Sequence, residues 1–177
     1  MNKFDTFAKL LLDYNKVHRL SGAKDFDQID ANIEDSLYPM RFLDTKKIKQ
    51  SVDIGTGAGF PGLILAISYP HIHFTLVEPL MKRTAFLHLV KSKLDMKNIT
   101  IKNDRIENIK PFQADLITSR AVAKTALLID LAKEFIGEKT ILLFYKGEGV
   151  QKELDDSYQS EIVGRGKRNY LFIKGIK

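Results

Sequence analysis

The sequence predicts an α/β fold built around a mostly parallel seven-stranded sheet that closes with an antiparallel C-terminal hairpin. Three observations predict it. From residue 51 onward, short apolar runs alternate with helical segments, and five such runs cover 51–54, 73–78, 98–101, 115–118 and 140–146. The runs are apolar on both faces, which is typical of parallel strands covered by helices on both sides. Two further runs, 158–163 and 169–174, are close enough in sequence to pair as a hairpin.

The segment before the first strand predicts two helices. Apolar residues recur at three- and four-residue steps, at positions 4, 7, 8, 11 and 14 and then at 29, 33, 37 and 40. Ser21 and Gly22 separate the two patterns, and Pro39 is expected to bend or end the second helix. We therefore expect one compact domain, with an N-terminal helical cap over 1–48 and a sheet core over 49–177.

Composition excludes several classes of protein. The chain of 177 residues has no cysteine, which excludes disulfides, Cys-ligated metals and a thiolate nucleophile, and we predict no metal site. It has neither a hydrophobic signal core nor an apolar run near the roughly 18 residues of a membrane span. We therefore expect a soluble cytoplasmic protein with no membrane partner. The net charge of +6 is compatible with a nucleic-acid partner, but also with an ordinary Lys-rich enzyme.

A glycine-rich turn after the first strand is the strongest motif. Residues 52–62 are Val-Asp-Ile-Gly-Thr-Gly-Ala-Gly-Phe-Pro-Gly, and glycine allows a tight turn and a close approach to a ligand. The G-x-G-x-x-G at 57–62 keeps an NAD(P)- or flavin-binding oxidoreductase open as an alternative. Asp53, however, is expected at the strand tip, where its charge would repel a pyrophosphate. S-adenosylmethionine has no phosphate, and its sulfonium and ammonium would be attracted there.

A second acid, Glu78, ends the next strand and is placed to accept hydrogen bonds from both ribose hydroxyls. The turn and its two acids predict cofactor contacts at Asp53, Gly55, Gly57, Gly59 and Glu78. In the structural alternative, Asp53 only caps the following helix and Glu78 is a polar strand end.

From residue 52 onward the chain closely resembles the RsmG/GidB family of bacterial small-subunit ribosomal RNA guanine-N7 methyltransferases. The resemblance rests on ordered blocks at 53–62, 78, 82–87, 105–107, 115–121, 145–147 and 168–174. The N-terminal segment matches less well. The chain has Arg19 where the family commonly has Asn, and Asn32 where it commonly has His.

The resemblance implies a Rossmann-like methyltransferase fold, S-adenosylmethionine as methyl donor, and a guanine in the decoding region of 16S rRNA as acceptor. It places cofactor contacts at Gly55, Phe60, Ile106, Glu107 and Arg120. A non-catalytic RNA-binding module on the same scaffold is a further alternative.

Methylation at guanine N7 requires no general base, because N7 carries a lone pair and no proton. The Asn/Asp-Pro-Pro-aromatic loop typical of exocyclic-amine methylation is absent after the fourth strand, where Ser119-Arg120-Ala121 stands instead. Arg120 is therefore predicted to position the donor carboxylate, an RNA phosphate or guanine O6. The alternative is a structural ion pair with Asp53 or Asp115. Phe60 is expected either to pack against the cofactor or to form a hydrophobic staple at the start of the following helix.

Basic residues near the expected site predict contacts with RNA. Given the resemblance, we expect phosphate contacts from Lys146, Lys167 and Arg168, whereas Tyr145 and Tyr170 lie on strands and are expected in the core. The predicted partner is 16S rRNA or the small ribosomal subunit, and the protein is expected to be a monomer.

Overall fold

The computed structural model of the chain describes residues 2–120, 122–155 and 157–176. Five helices and seven strands follow one another in it, with short 3-10 turns between some of them. The helices are α1 Lys3–His18, α2 Phe26–Leu37, α3 Gly62–Ser68, α4 Met81–Lys93 and α5 Thr125–Ala132. The strands are β1 Gln50–Ile54, β2 His73–Val77, β3 Ile99–Lys102, β4 Ala114–Arg120, β5 Ile136–Lys146, β6 Gln159–Arg165 and β7 Arg168–Lys174.

The seven strands form one sheet in the order β3-β2-β1-β4-β5-β7-β6. Strands β1 to β5 are parallel, whereas β7 is antiparallel to both β5 and β6. The mostly parallel sheet and its antiparallel C-terminal hairpin are therefore confirmed. The chain runs outward from β1 to β3 and then returns to place β4 on the other side of β1. A crevice forms at such a reversal, outside the carboxyl ends of the strands.

The strand bounds follow the predicted apolar runs, except that β5 begins at Ile136 rather than at residue 140. The reason is an irregularity in the β4–β5 pairing, where Ala114 pairs with Ile136 but Leu116 pairs with Ile141. The Thr140 hydroxyl bridges this step, since it donates to the Ala114 carbonyl at 2.6 Å and accepts from the Gly137 amide at 2.7 Å. The Thr140 side chain thus replaces hydrogen bonds between the two strands at this point. A pattern of apolar residues does not reveal such a replacement, so it does not predict the earlier start of β5.

The two N-terminal helices begin at side-chain caps. Asn2 and Asp5 form a capping box at α1, and Asp25 accepts from the Gln28 amide at α2. As expected from Pro39, α2 ends at Leu37 and a 3-10 turn follows.

Aromatic packing joins these helices to the sheet layer. The Phe7 ring lies 5.4 Å from that of Phe60 and 6.1 Å from that of Phe86, which belongs to α4. The first helix and the glycine-rich turn therefore share one buried cluster. The division into a cap over 1–48 and a core over 49–177 stays a prediction. Among the described residues, no helix is both long enough and apolar enough to cross a membrane.

Candidate active site

The turn after β1 places three glycines in the left-handed region, with φ of +69° at Gly55, +60° at Gly57 and +102° at Gly59. Such angles strain residues that carry a Cβ. The turn is held to β2 because the amides of Gly55 and Thr56 both donate to the Val77 carbonyl, at 2.9 and 3.1 Å.

Gly57 faces open space, because a Cβ built there would meet nothing nearer than a backbone oxygen at 4.0 Å. At Gly59 a Cβ would lie 2.8 Å from Leu63, beneath the turn. The predicted ligand contact at Gly59 is therefore not supported, since Gly59 is absent from the lining of the crevice described below, and its glycine serves helix packing instead.

A central crevice of about 670 Å³ opens at the carboxyl ends of β1, β2 and β4. Its walls include Gly55, Gly57, Phe60, Glu78 and Arg120, all of which the sequence predicts as site residues. Ligand pockets for molecules of cofactor size have volumes of about 300–1,000 Å³. The predicted residues therefore meet around a space large enough for a nucleoside cofactor.

Glu78 presents a carboxylate to the central crevice while remaining 2% exposed. Its oxygens accept from the amides of Gly57 and Leu80, each at 3.0 Å, and Arg83 Nη1 lies 3.4 Å away. The carboxylate is thereby held at the strand end beside the glycine-rich turn, as the sequence predicts.

Asp53 does not face the crevice, which corrects the predicted contact between this carboxylate and a ligand. Its side chain is fully buried, and its oxygens accept from the Gly62 amide at 2.9 Å and the Thr118 hydroxyl at 2.7 Å. Burial raises the pKa of Asp53, and these hydrogen bonds oppose the rise. The structural alternative is the one observed, since the carboxylate joins β1, β4 and the start of α3. Gly62 is needed there because an added Cβ would lie 2.5 Å from Asp53 Oδ2.

Ile106 and Glu107 line a smaller hollow of about 220 Å³ next to the central crevice. The two spaces share Gly55, Pro79 and Val122. Val122 lies over the turn, since a Cβ on Gly55 would be only 2.6 Å from Val122 Cγ2. Sequence reasoning missed Val122, because nothing in a residue after β4 indicates that it closes over a turn after β1.

Arg120 ends β4, and its ion pair is with Asp35 rather than with Asp53 or Asp115, the two partners that the structural alternative named. Its Nη1 donates to Asn32 Oδ1 at 3.0 Å and to Asp35 Oδ2 at 3.4 Å. Burial lowers the pKa of Arg120, and the Asp35 charge opposes that effect. Asp115 lies at the other end of β4, where it accepts from two backbone amides of residues 49 and 50.

Asp35 lines a second space, which we call the Asp35 hollow, of about 600 Å³. Its carboxylate also accepts a hydrogen bond from the Tyr170 hydroxyl at 2.9 Å and forms an ion pair with Arg168, whose Nε lies 3.3 Å away. Burial and the Asp35 charge raise the pKa of Tyr170 to about 12, so this hydroxyl remains a donor. Sequence reasoning missed Asp35 as a site residue, because it lies on α2, far along the chain from the glycine-rich turn.

Phe60 and Arg120 belong to the linings of both the central crevice and the Asp35 hollow. The Phe60 ring also packs edge-on against Phe7, so one face of the ring serves the core. The central crevice and the Asp35 hollow therefore meet at the Phe60 ring and the Arg120 guanidinium.

The three predicted RNA contacts have different surroundings. Lys146 is 8% exposed, and its ammonium donates to the Ala123 carbonyl and to Glu153, each at 2.8 Å. A phosphate contact there is wrong, because β5 is an interior strand and neighbouring loops cover its end. Lys167 is exposed at the β6–β7 turn, and Arg168 lines the Asp35 hollow. Both of these remain predictions, while Tyr145 and Tyr170 are buried in the core as expected.

In the described part of the chain, no group of three metal-ligating side chains is found.

Comparison with known proteins relates this site to a family. The model of the GidB family, rRNA small subunit methyltransferase G, matches residues 1–175. Ribosomal RNA small subunit methyltransferase G of Wolinella succinogenes is 45% identical over 176 residues, which cover 99% of this chain and 90% of that protein. The protein of the same name from Aliarcobacter butzleri is 44% identical over 174 residues, with 97% and 89% covered.

Solved structures agree on the fold. A crystal structure of an MtNAS mutant in complex with S-adenosylmethionine superposes with a TM-score of 0.64 at 12% identity, covering 99% of this chain and 75% of that one. Ribosomal protein L11 methylase from Lactobacillus delbrueckii subsp. bulgaricus gives 0.66 at 14% identity, with 89% and 81% covered. The fold is thus the Rossmann-like fold of S-adenosylmethionine-dependent methyltransferases. The full-length match shows that this chain belongs to the GidB family of rRNA small subunit methyltransferases G.

Proposed function

We propose that this protein is an S-adenosylmethionine-dependent enzyme that methylates N7 of a guanine in the decoding region of 16S rRNA. The observation that carries the proposal is the junction of two spaces at Phe60 and Arg120. The central crevice has the dimensions and polar groups for the donor, and the Asp35 hollow opens directly beside it for the acceptor. Methyl transfer requires such adjacency, since the two reactants must be held in line.

The central crevice fits the donor in three respects. The open side of Gly57 leaves room for a ligand against the backbone, and Glu78 presents acceptors for ribose hydroxyls. Pro79 and Val122 of the crevice, together with Ile106 of the adjoining smaller hollow, supply apolar walls on which an adenine ring can lie. In addition, Arg83 lines the crevice with a buried Nε that has no acceptor among the described residues. An orphaned donor of this kind favours a polar ligand nearby.

The same contacts disfavour an NAD(P)-dependent oxidoreductase. A pyrophosphate at a glycine-rich turn binds to backbone amides at the start of a helix. Here the Gly57 amide already donates to Glu78, and the Gly62 amide already donates to Asp53. Both acceptors are carboxylates, so a pyrophosphate would have to displace one negative charge and approach another.

S-adenosylmethionine supplies a methyl group on a positively charged sulfur. Guanine N7 needs no deprotonation, so the residues of this chain have only to orient the two reactants, exclude water and hold charge in place. We assign positioning of the acceptor to Arg120, whose guanidinium is held at Asn32 and Asp35 and can donate to guanine O6. Preorganised donors of this kind lower a barrier without reorganising during the reaction.

Lys167 and Arg168 are proposed to contact RNA phosphates beside the acceptor guanine. Both lie at the tip of the β6–β7 hairpin, and Arg168 also reaches the Asp35 hollow. Since the substrate is ribosomal RNA or the small subunit, we propose that the protein acts in the cytoplasm, and that it does so as a monomer.

The test is mass spectrometry of 16S rRNA from a strain that lacks the gene. We expect 7-methylguanosine to disappear from the decoding-region fragment and to return when the unmodified gene is supplied. Persistence of the modification in the deletion strain would contradict the proposal. Calorimetry with S-adenosylhomocysteine and with NADH separates the alternatives, because binding of NADH alone would indicate the oxidoreductase. Binding of neither ligand would indicate the RNA-binding scaffold.

A further inference from the structure

Residues 122–124, which we call the β4–α5 segment, contribute to one wall of the central crevice, yet α5, which follows them, has no side-chain cap from its own N-cap residue. Val122 of this segment lies over Gly55 and lines both the crevice and the smaller hollow. At the start of α5, the N-cap residue Lys124 has no side chain that could accept from the first amides of the helix. Unsatisfied amides at a helix start require an acceptor from elsewhere.

Glu153 supplies that acceptor from a distant part of the chain. One carboxylate oxygen accepts from the Thr125 amide at 2.7 Å and from the Thr125 hydroxyl at 2.8 Å. Thr125 is fully buried, whereas the Glu153 side chain remains 26% exposed, so these hydrogen bonds are partly buried. A negative charge at this place also interacts favourably with the helix dipole.

Lys146 joins the same oxygen to the crevice wall. Its ammonium donates to Glu153 and to the carbonyl of Ala123, each at 2.8 Å, and only 8% of its side chain is exposed. Burial opposes ionisation of Glu153, but the hydrogen bonds from Lys146 and Thr125 prevail and lower its pKa to about 2. Glu153 therefore stays ionised at neutral pH, and its contacts through Lys146 and Thr125 fix the segment on both sides of Lys124.

We propose that Lys146 and Glu153 form a clamp that holds the β4–α5 segment in place, so that Val122 closes the wall of the methyl-donor crevice. They are positioning residues, since neither lines the central crevice. The inference rests on the proposed function, because the ligand of the crevice is taken to be the methyl donor. Loss of the clamp should leave the segment closed for a smaller fraction of the time. The apparent affinity then falls by the same fraction, so a tenfold drop in the closed population raises Kd about tenfold.

The test combines calorimetry with S-adenosylhomocysteine and hydrogen exchange of the backbone amides at 122–128. In Glu153→Ala we expect faster exchange in this segment and a Kd about tenfold higher. Asp130→Ala is the matched control, because it removes an exposed ion pair between Asp130 on α5 and Lys133, which directly follows the helix, and it should change neither measurement. Unchanged exchange at 122–128 in Glu153→Ala would overturn the proposal.

Val122→Ala tests the wall without disturbing the clamp. Because Val122 is 45% exposed, its truncation should leave the unfolding midpoint nearly unchanged while raising Kd for S-adenosylhomocysteine. Leu127→Ala, which truncates an exposed apolar residue on α5, is the control and should not affect Kd.

If the clamp acts through Val122, both substitutions remove the same closed wall. The double variant Glu153→Ala/Val122→Ala should then bind S-adenosylhomocysteine no more weakly than the single variant with the higher Kd. Fully additive losses would place the effect of Glu153 elsewhere and overturn the proposal. If the unmodified protein fails to bind S-adenosylhomocysteine, the proposed function fails and the donor assignment fails with it. Hydrogen exchange still reports independently whether the clamp holds the segment.

Discussion

The Arg120 guanidinium carbon lies 4.8 Å from the centre of the Phe60 ring, where the central crevice meets the Asp35 hollow. The ring comes from the glycine-rich turn after β1, and the guanidinium comes from the end of β4. A cation over an aromatic face is favourable by about 0.5–2 kcal/mol. The contact therefore fixes two residues of the proposed site relative to each other before any ligand binds.

Arg120→Ala should abolish most methyl transfer while leaving the protein folded. We expect kcat/KM to fall by about 100-fold, which is typical of removing a preorganised donor. Stability should fall by only about 1–2 kcal/mol, because Asp35 keeps the hydrogen bond from Tyr170 and the ion pair with Arg168. Methylation assays with small subunits and urea unfolding measure the two effects.

Arg41→Ala is the control for Arg120. Arg41 also lies over an aromatic ring, 4.3 Å from the centre of Tyr38, but it is outside both linings. Its removal should leave kcat/KM unchanged. If Arg120→Ala loses stability and activity in parallel, its role is structural.

Gly57→Val should abolish binding of S-adenosylhomocysteine. The new side chain would enter the open crevice, and a β-branched residue is strained at a φ of +60°. Gly166→Val separates these causes, since Gly166 has a φ of +58° at the hairpin turn and also faces open space. Calorimetry should show lost binding only for Gly57→Val, and comparable loss in both variants would indicate strain rather than obstruction.

Asp53→Ala should destabilise the fold by about 2–4 kcal/mol, because it leaves two buried donors unsatisfied, the Gly62 amide and the Thr118 hydroxyl. Asp53→Asn should cost less, about 1 kcal/mol. Its carbonyl can accept from Gly62, while its amide donates to a rotated Thr118 hydroxyl. Burial also raises the pKa of Asp53, so removing its charge offsets part of the loss. Urea unfolding of the two variants at pH 7 tests this order, and equal losses would contradict it.

Lys167→Glu should weaken binding to small subunits. It should also reduce the steepness of the plot of log K against log salt concentration by about 1–2, as expected when a phosphate contact is replaced by a repelling charge. Lys139→Glu makes the same change in net charge. Lys139 is exposed near the start of β5, remote from the carboxyl ends of the parallel strands. Titrations at several salt concentrations should separate the two, and equal slopes would indicate a general charge effect.

Acid should remove the stabilisation that Glu153 provides. Its folded pKa of about 2 lies below the ordinary value of 4.5, so the contribution is complete above pH 4.5 and declines as pH falls toward 2. We expect Glu153→Gln to cost about 1.5–3 kcal/mol at pH 7, the usual range for hydrogen bonds to a charged group. Urea unfolding should show this difference shrinking between pH 4.5 and 2. A difference that stays constant over that interval would contradict the assignment.

The sequence by itself determined the alternation of strands and helices, the C-terminal hairpin and the end of α2 before Pro39, because these follow from local periodicity and backbone restriction. The glycines after β1 similarly predicted a turn that can approach a ligand. Family membership rested on ordered blocks that were visible in the chain alone. Glu78 lies in the wall of the central crevice, and Ile106 and Glu107 lie in the smaller hollow next to it, because the carboxyl ends of parallel strands meet at one edge. Their contacts with a cofactor stay predictions.

Only the tertiary structure decided which way side chains turn at that edge and which partners they meet. Asp53 and Lys146 both lie near strand ends, but Asp53 bonds to β4 and the start of α3, and Lys146 bonds to Ala123 and Glu153, so each is satisfied inside the protein rather than by a ligand. Arg120 pairs with Asp35, which is 85 residues earlier in the chain. Such contacts depend on which loops cover each strand end, and sequence spacing carries no information about that when the partners lie so far apart.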